Sequence, residues 1–187
     1  ATDTNSGYIG YDTSNLLKFY TQNTLALTLD ASQNATFAGT VNGIPFFTDT
    51  ARNSMYTHDV SGTATSADGN TAYGFGALDA ITGGDLNTVV GYLAGSAINS
   101  GSNNVLMGYA TGDALTTGSD NVAIGYAALS VEDTGNRNVA IGKSALNALN
   151  FDGDGWNVAV GYEAGKVVST GIKNTSIGAR TMQATTV

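Results

Sequence analysis

Only one stretch of this chain gathers groups that could coordinate or catalyse: Asp152-Gly153-Asp154-Gly155, set between Phe151 and Trp156. Two aspartates with glycines can clasp Ca²⁺. A calcium loop, however, needs about six to eight oxygen ligands and commonly a bidentate glutamate. The calcium-binding nonapeptide repeat is also missing. No metal site is therefore expected, and Asp152 and Asp154 are the candidates that one would use. Glycan hydrolysis needs two carboxylates held roughly 5 to 10 Å apart in a groove. Asp113, Asp120, Glu132, Asp133 and Glu163 instead fall at scattered positions that read as solvated surface. Gly74-Phe75-Gly76 follows a candidate strand but lacks the rest of a dinucleotide fingerprint. His58 is the only histidine, without a partner nearby, and reads as an exposed or packing residue. With no cysteine, thiolate zinc sites, disulfides and cysteine nucleophiles are excluded. No catalytic residue, enzyme activity or cofactor is expected.

The aspartate loop sits inside a repeat, and the repeat is the dominant signal. The phrase Asn121-Val-Ala-Ile-Gly-Tyr126 recurs as NTAYGF from Asn70, NTVVGY from Asn87 and NVLMGY from Asn104. It continues as NVAIGK from Asn138, NVAVGY from Asn157 and NTSIGA from Asn174. The period is 17 residues, except for 19 between Asn138 and Asn157, where the aspartate loop lies. A fixed period of this kind describes stacked units, each too thin to bury its own apolar residues. A mainly β, elongated solenoid of the β-roll or β-helix kind follows.

Within one unit the residues alternate across a strand. Val122 and Ile124 share one face, and Asn121, Ala123 and Gly125 the other. Apolar residues on both faces predict a strand buried on both sides. The larger column is expected to fill the coil interior, and the smaller one to admit a neighbouring chain. On that basis Ile124→Asp places a charge inside the stack. The glycines Gly74, Gly91, Gly108, Gly125, Gly142, Gly161 and Gly178 mark a bend after each strand. The aromatics that follow, Phe75, Tyr92, Tyr109, Tyr126 and Tyr162, align as a ladder. The second half of each unit reads equally as a helical turn or a second strand. The asparagines Asn70, Asn87, Asn104, Asn121, Asn138, Asn157 and Asn174 suit a ladder of amides along the axis, since each carries donors and acceptors. An exposed row that binds sugar is the alternative. Because it protrudes from a regular rod, the lengthened unit makes Trp156 the candidate surface contact.

Upstream, residues 1–41 carry short alternating runs such as Leu25-Ala-Leu-Thr-Leu29, bounded by Asn, Asp, Ser and Gly clusters. These predict a small β-meander. Residues 42–69 read as a connector, with a possible short helix between Thr48 and Asp59, and residues 70–187 form the seven-unit array. Charged residues are 12% of the chain and the net charge is −8. The seven basic residues are scattered and make no basic stripe, which argues against nucleic acid as a partner. No apolar run reaches the roughly 18 residues of a membrane span. The chain begins at Ala1 without Met, as a fragment or processed product would.

The pattern NVAIGY-x-AL/AG-x-TTG over residues 70–187 resembles the β-roll head repeats of trimeric autotransporter adhesins. It resembles more closely the NTAIGY-type repeats of bacteriophage tail fibres, notably those of marine phages. LALTLDASQNATFAGTV, from Leu25 to Val41, is similar to segments of phage fibre shafts. The 17-residue unit is longer than the adhesin repeat and begins with Asn instead of Ser. The resemblance implies a homotrimeric virion fibre outside the cell, joined to other tail proteins and reaching a host-surface glycan or protein receptor. A bacterial trimeric adhesin and a tailspike glycan depolymerase are the alternatives.

Overall fold

A computed structural model describes residues 66–183 in full and, before them, the backbone of eight strands between Tyr8 and Tyr56. His58 lies outside the described residues. The chain divides into two compact units, Ala1–Phe46 and Phe47–Val187. In the first, β1 (Tyr8–Tyr11), β2 (Leu17–Thr21), β3 (Thr24–Leu29) and β4 (Ala35–Phe37) pair antiparallel in that order. β5 (Thr40–Val41) pairs with β6 (Ile44–Pro45).

The second unit is a parallel β-solenoid of about six turns. Its strands are β9 (Thr71–Tyr73), β10 (Thr88–Val90), β11 (Val105–Met107), β12 (Val122–Ile124), β13 (Val139–Ile141), β14 (Val158–Val160) and β15 (Thr175–Ile177). Each pairs in parallel with the next, so every residue lies beside its counterpart one coil on: Ala123 beside Ala140, Ile124 beside Ile141. Before the array, β7 (Phe47–Asp49) and β8 (Ser54–Tyr56) pair antiparallel, and β8 runs parallel to β9. The stretch that suggested a short helix thus contributes two strands to the same nine-stranded sheet.

The alternation across each strand is as the sequence reads, but inside and outside are exchanged. Ala72, Val89, Leu106, Ala123, Ala140 and Ala159 are fully buried. The larger neighbours face outward: Val122 and Ile124 are half-buried, and Val105 and Met107 are exposed. The reason is volume. The interior is already filled from the far wall by Ile81, Ile98, Leu115 and Leu149, and by Leu78, Leu129 and Leu146. Coils with a leucine at that last position carry alanine in the strand: Ala72 with Leu78, Ala123 with Leu129, Ala140 with Leu146. Coils with Gly95 or Gly112 there carry Val89 or Leu106 instead, and the Leu106 methyls come within 2.9 Å of a Cβ built on Gly95 and 3.1 Å of one on Gly112. Small on one wall meets large on the other in these five coils, which keeps packing density; the Ala159 coil has Gly165 there instead, and Leu146 and Val168 close on that space.

The second half of each coil is neither helix nor strand but a run of tight turns with several residues at positive φ. Ala127 (φ 50°) and Leu129 (φ 53°) represent two such columns, and Asp120 (φ 59°) and Trp156 (φ 54°) a third. For non-glycine residues this backbone costs about 1 kcal/mol or more each. It persists because the N–H groups bond to neighbouring coils. Ala127 N–H donates to the Tyr109 carbonyl at 2.9 Å, and Leu129 N–H to the Ala145 carbonyl at 3.0 Å. Gly125, at φ 127°, shows why no side chain is tolerated after the strand: a Cβ would lie 2.7 Å from the Gly142 carbonyl carbon.

Candidate interaction surface

The asparagine column lies inside the solenoid. Asn70, Asn87, Asn104, Asn121, Asn138 and Asn157 are buried, and Asn174 at the last coil is half-buried. Each Oδ1 accepts twice from the next coil. Asn121 Oδ1, for example, takes the Asn138 backbone N–H at 3.0 Å and its Nδ2 at 3.3 Å. Asn121 Nδ2 also donates to the Gly135 carbonyl at 2.9 Å, closing its own coil. An exposed sugar-binding row is therefore ruled out for these side chains. A parallel ladder, which sequence reasoning missed, runs along the adjoining corner. Asp85 N–H donates to Ser102 Oγ, Ser102 N–H to Ser119 Oγ and Ser119 N–H to Asn136 Oδ1, at 2.8 to 3.0 Å. The signal was there in small polar residues one period apart.

The outer face of the sheet carries two columns, Thr71, Thr88, Val105, Val122, Val139, Val158, Thr175 and Tyr73, Val90, Met107, Ile124, Ile141, Val160, Ile177. Tyr73 and Met107 are each 47% exposed and Ile177 68%. Beyond the glycine bend, Phe75, Tyr92, Tyr109 and Tyr126 stack with ring centroids 5.8, 5.5 and 5.1 Å apart. Lys143 takes the next place, its ammonium 5.4 Å from the Tyr126 ring and 5.9 Å from that of Tyr162. Such contacts contribute about 0.5–1 kcal/mol at exposed sites. At about 4.8 Å per coil the strip is some 30 Å long and, from first column to aromatic corner, about 13 Å wide. A projected area on the order of 400 Å² matches the largest apolar patch of an ordinary monomer, roughly 300–600 Å², a patch that is often functional.

The lengthened coil is tied down by its own ion pairs. Asp152 Oδ1 accepts from Thr134 Oγ1 at 2.6 Å, and Asp154 pairs with the Arg137 guanidinium. Arg137 also lies 3.7 Å from Asp120 and 5.1 Å from the Trp156 ring centroid. Trp156 is 51% exposed, at the corner with Arg137. Among the described residues no group of three His, Cys, Asp or Glu side chains could hold a metal.

Glu132 is not solvated surface. It is fully buried at the place where other coils carry Ile98, Leu115 or Leu149. Its Oε1 accepts from Gly135 N–H at 2.7 Å and its Oε2 from Phe151 N–H at 3.1 Å. In a regular coil the next coil's carbonyl serves this turn, as Asn99 does for Thr82, Gly83 and Gly84. The two extra residues displace that carbonyl, and the Glu132 carboxylate takes its part. Burial pushes its pKa up, opposed by the Phe151, Gly135 and Thr134 N–H groups. Burial likewise raises that of Asp113. The buried Oδ1 atoms of Asp113 and Asp133 have no hydrogen-bond partner. Asp113 and Asp120 lie seven residues apart in one repeat, and Glu163 lies three repeats further on.

No protein-family model, curated protein or solved structure matches this chain.

Proposed function

We propose that this chain is a structural segment of a homotrimeric fibre, of the kind found in phage tails, acting outside the cell as part of a virion. Its work is mechanical and multivalent. A stiff rod holds copies of one surface close together, so that weak contacts to a host-surface glycan or protein gain from effective concentration. The observation that carries this reading is the apolar strip on the outer sheet face, which a lone chain leaves in water. A ring of three needs two different patches on each chain. The valine and isoleucine columns supply one, and the stacked rings of Phe75, Tyr92, Tyr109 and Tyr126 beside them supply the other, leaving Lys143 and Tyr162 of the later coils outside the contact. The sequence resemblance supplies the fibre setting.

The test is the mass of the chain in solution, read by sedimentation, together with Ile124→Asp. The coil interior does not contain Ile124, so the variant keeps its fold and loses its partners. A wild-type chain that stays monomeric at micromolar concentration would overturn the proposal.

A further inference from the structure

Among the described residues 66–183 the five basic residues all fall in the last coils of the solenoid. Between residues 66 and 136 there are seven carboxylates and no lysine or arginine; from 137 to 183 five cations face three carboxylates. The solenoid is thus acidic over its first four coils and basic over its last three. Three of the cations meet at one corner. Tyr162 lies between Lys143, from the coil before, at 5.9 Å, and Arg180, from the coil after, at 5.5 Å from its ring centroid. Lys166 joins them through Glu163, which accepts from Lys166 Nζ at 2.8 Å and from Arg180 Nε at 3.3 Å. The hydrogen bond from Lys166 holds the Glu163 carboxyl down to about 2, with Gln183 and Arg180 adding to it. Glu163 therefore stays ionised and orders two of the cations while neutralising only one charge. Lys143, among the described residues, has no carboxylate partner, and it is exposed like Tyr162 and Arg180.

We propose that Lys143, Tyr162 and Arg180 form a binding site for an acidic polysaccharide, one that carries carboxylate or sulfate groups on its sugar rings. The two cations, about 10 Å apart along the axis for coils of about 4.8 Å, reach acidic groups on the polymer, and Tyr162 meets the sugar between them. Charge complementarity selects the polymer. The seven carboxylates of the preceding coils repel a long, densely charged strand such as a nucleic acid, whereas a glycan segment can engage the basic end alone. This names a ligand for the surface that the proposed fibre presents, and rests on that proposal for its setting.

The experiment is titration calorimetry of the full chain with oligoguluronate and dextran sulfate, with neutral dextran and a single-stranded oligonucleotide as comparisons. Lys143→Tyr is the informative variant, because it completes the aromatic column and so preserves the fold. Arg180→Gln is the second, and Asp79→Asn is the control on an acidic coil. Binding of at least one acidic glycan, weakened about tenfold by either variant and by added salt, is the result expected. No binding of either polyanion by folded protein, binding unchanged in both variants, or equal binding of neutral dextran or oligonucleotide would overturn it. Sedimentation of the same samples separates the two proposals. A monomer that binds refutes the trimer and keeps the site, and a trimer that does not bind does the reverse.

Discussion

Leu106 shows how closely single residues set this solenoid. Its side chain fills space that Gly95 and Gly112 leave empty, and it is the bulkiest residue in its strand column. Leu106→Ala should lower stability by about 2–4 kcal/mol, because no neighbour can fall into the cavity. Adding Gly112→Leu should recover at least half of that loss, since Leu78, Leu129 and Leu146 already occupy this place at positive φ. Chemical denaturation of the single and double variants measures the coupling, and additive losses would show that the two positions do not share one interior. Glu132 gives a second test. Its folded pKa is raised above 4.5, so the native state holds its proton more tightly than the unfolded chain. Its contribution to stability is then full below about pH 4.5 and is lost as pH rises through the folded pKa. The stability difference between wild type and Glu132→Ala should shrink on going from pH 4 to pH 8. A difference that grows with pH would mean that the N–H groups outweigh burial.

At the scale of the element, the strand and its ladder were legible in the sequence because they repeat. The period, the alternation across Asn121 to Gly125 and the aromatic column follow from spacing alone. The choice of inner face did not, because size suggests that valine and isoleucine go inside while coil volume decides otherwise. A signal existed in Val89 and Leu106, which occur where the far wall has glycine, but two exceptions are read correctly only when the walls are known to face each other. The tight turns escaped for another reason. Leucine, alanine and tryptophan at positive φ contradict local preference, and inter-coil hydrogen bonds impose that conformation from outside the segment. Glu132 was read as surface because a lone carboxylate gives no hint that an insertion one coil later removes a carbonyl. The ladder makes a further prediction. Asn121→Ala removes the acceptor of two bonds from Asn138 and the donor to Gly135. It should cost about 2–4 kcal/mol, since buried groups on both sides lose partners. A thermal melt shifted by less than the error of the measurement would refute the ladder as a source of stability.

For the whole molecule, one arrangement accounts for the exposed sheet face, the small charged fraction and the thin coils. Stacking buries one wall of each strand, and the proposed association would cover the other. The charge division along the axis gives the two ends of the solenoid opposite electrostatic character. Mass in solution bears most directly on this. The intact chain should sediment at three times 19.0 kDa, and Ile124→Asp should sediment at 19.0 kDa with unchanged β circular dichroism. A wild type that sediments at 19.0 kDa, or an Ile124→Asp chain that unfolds, would contradict the account.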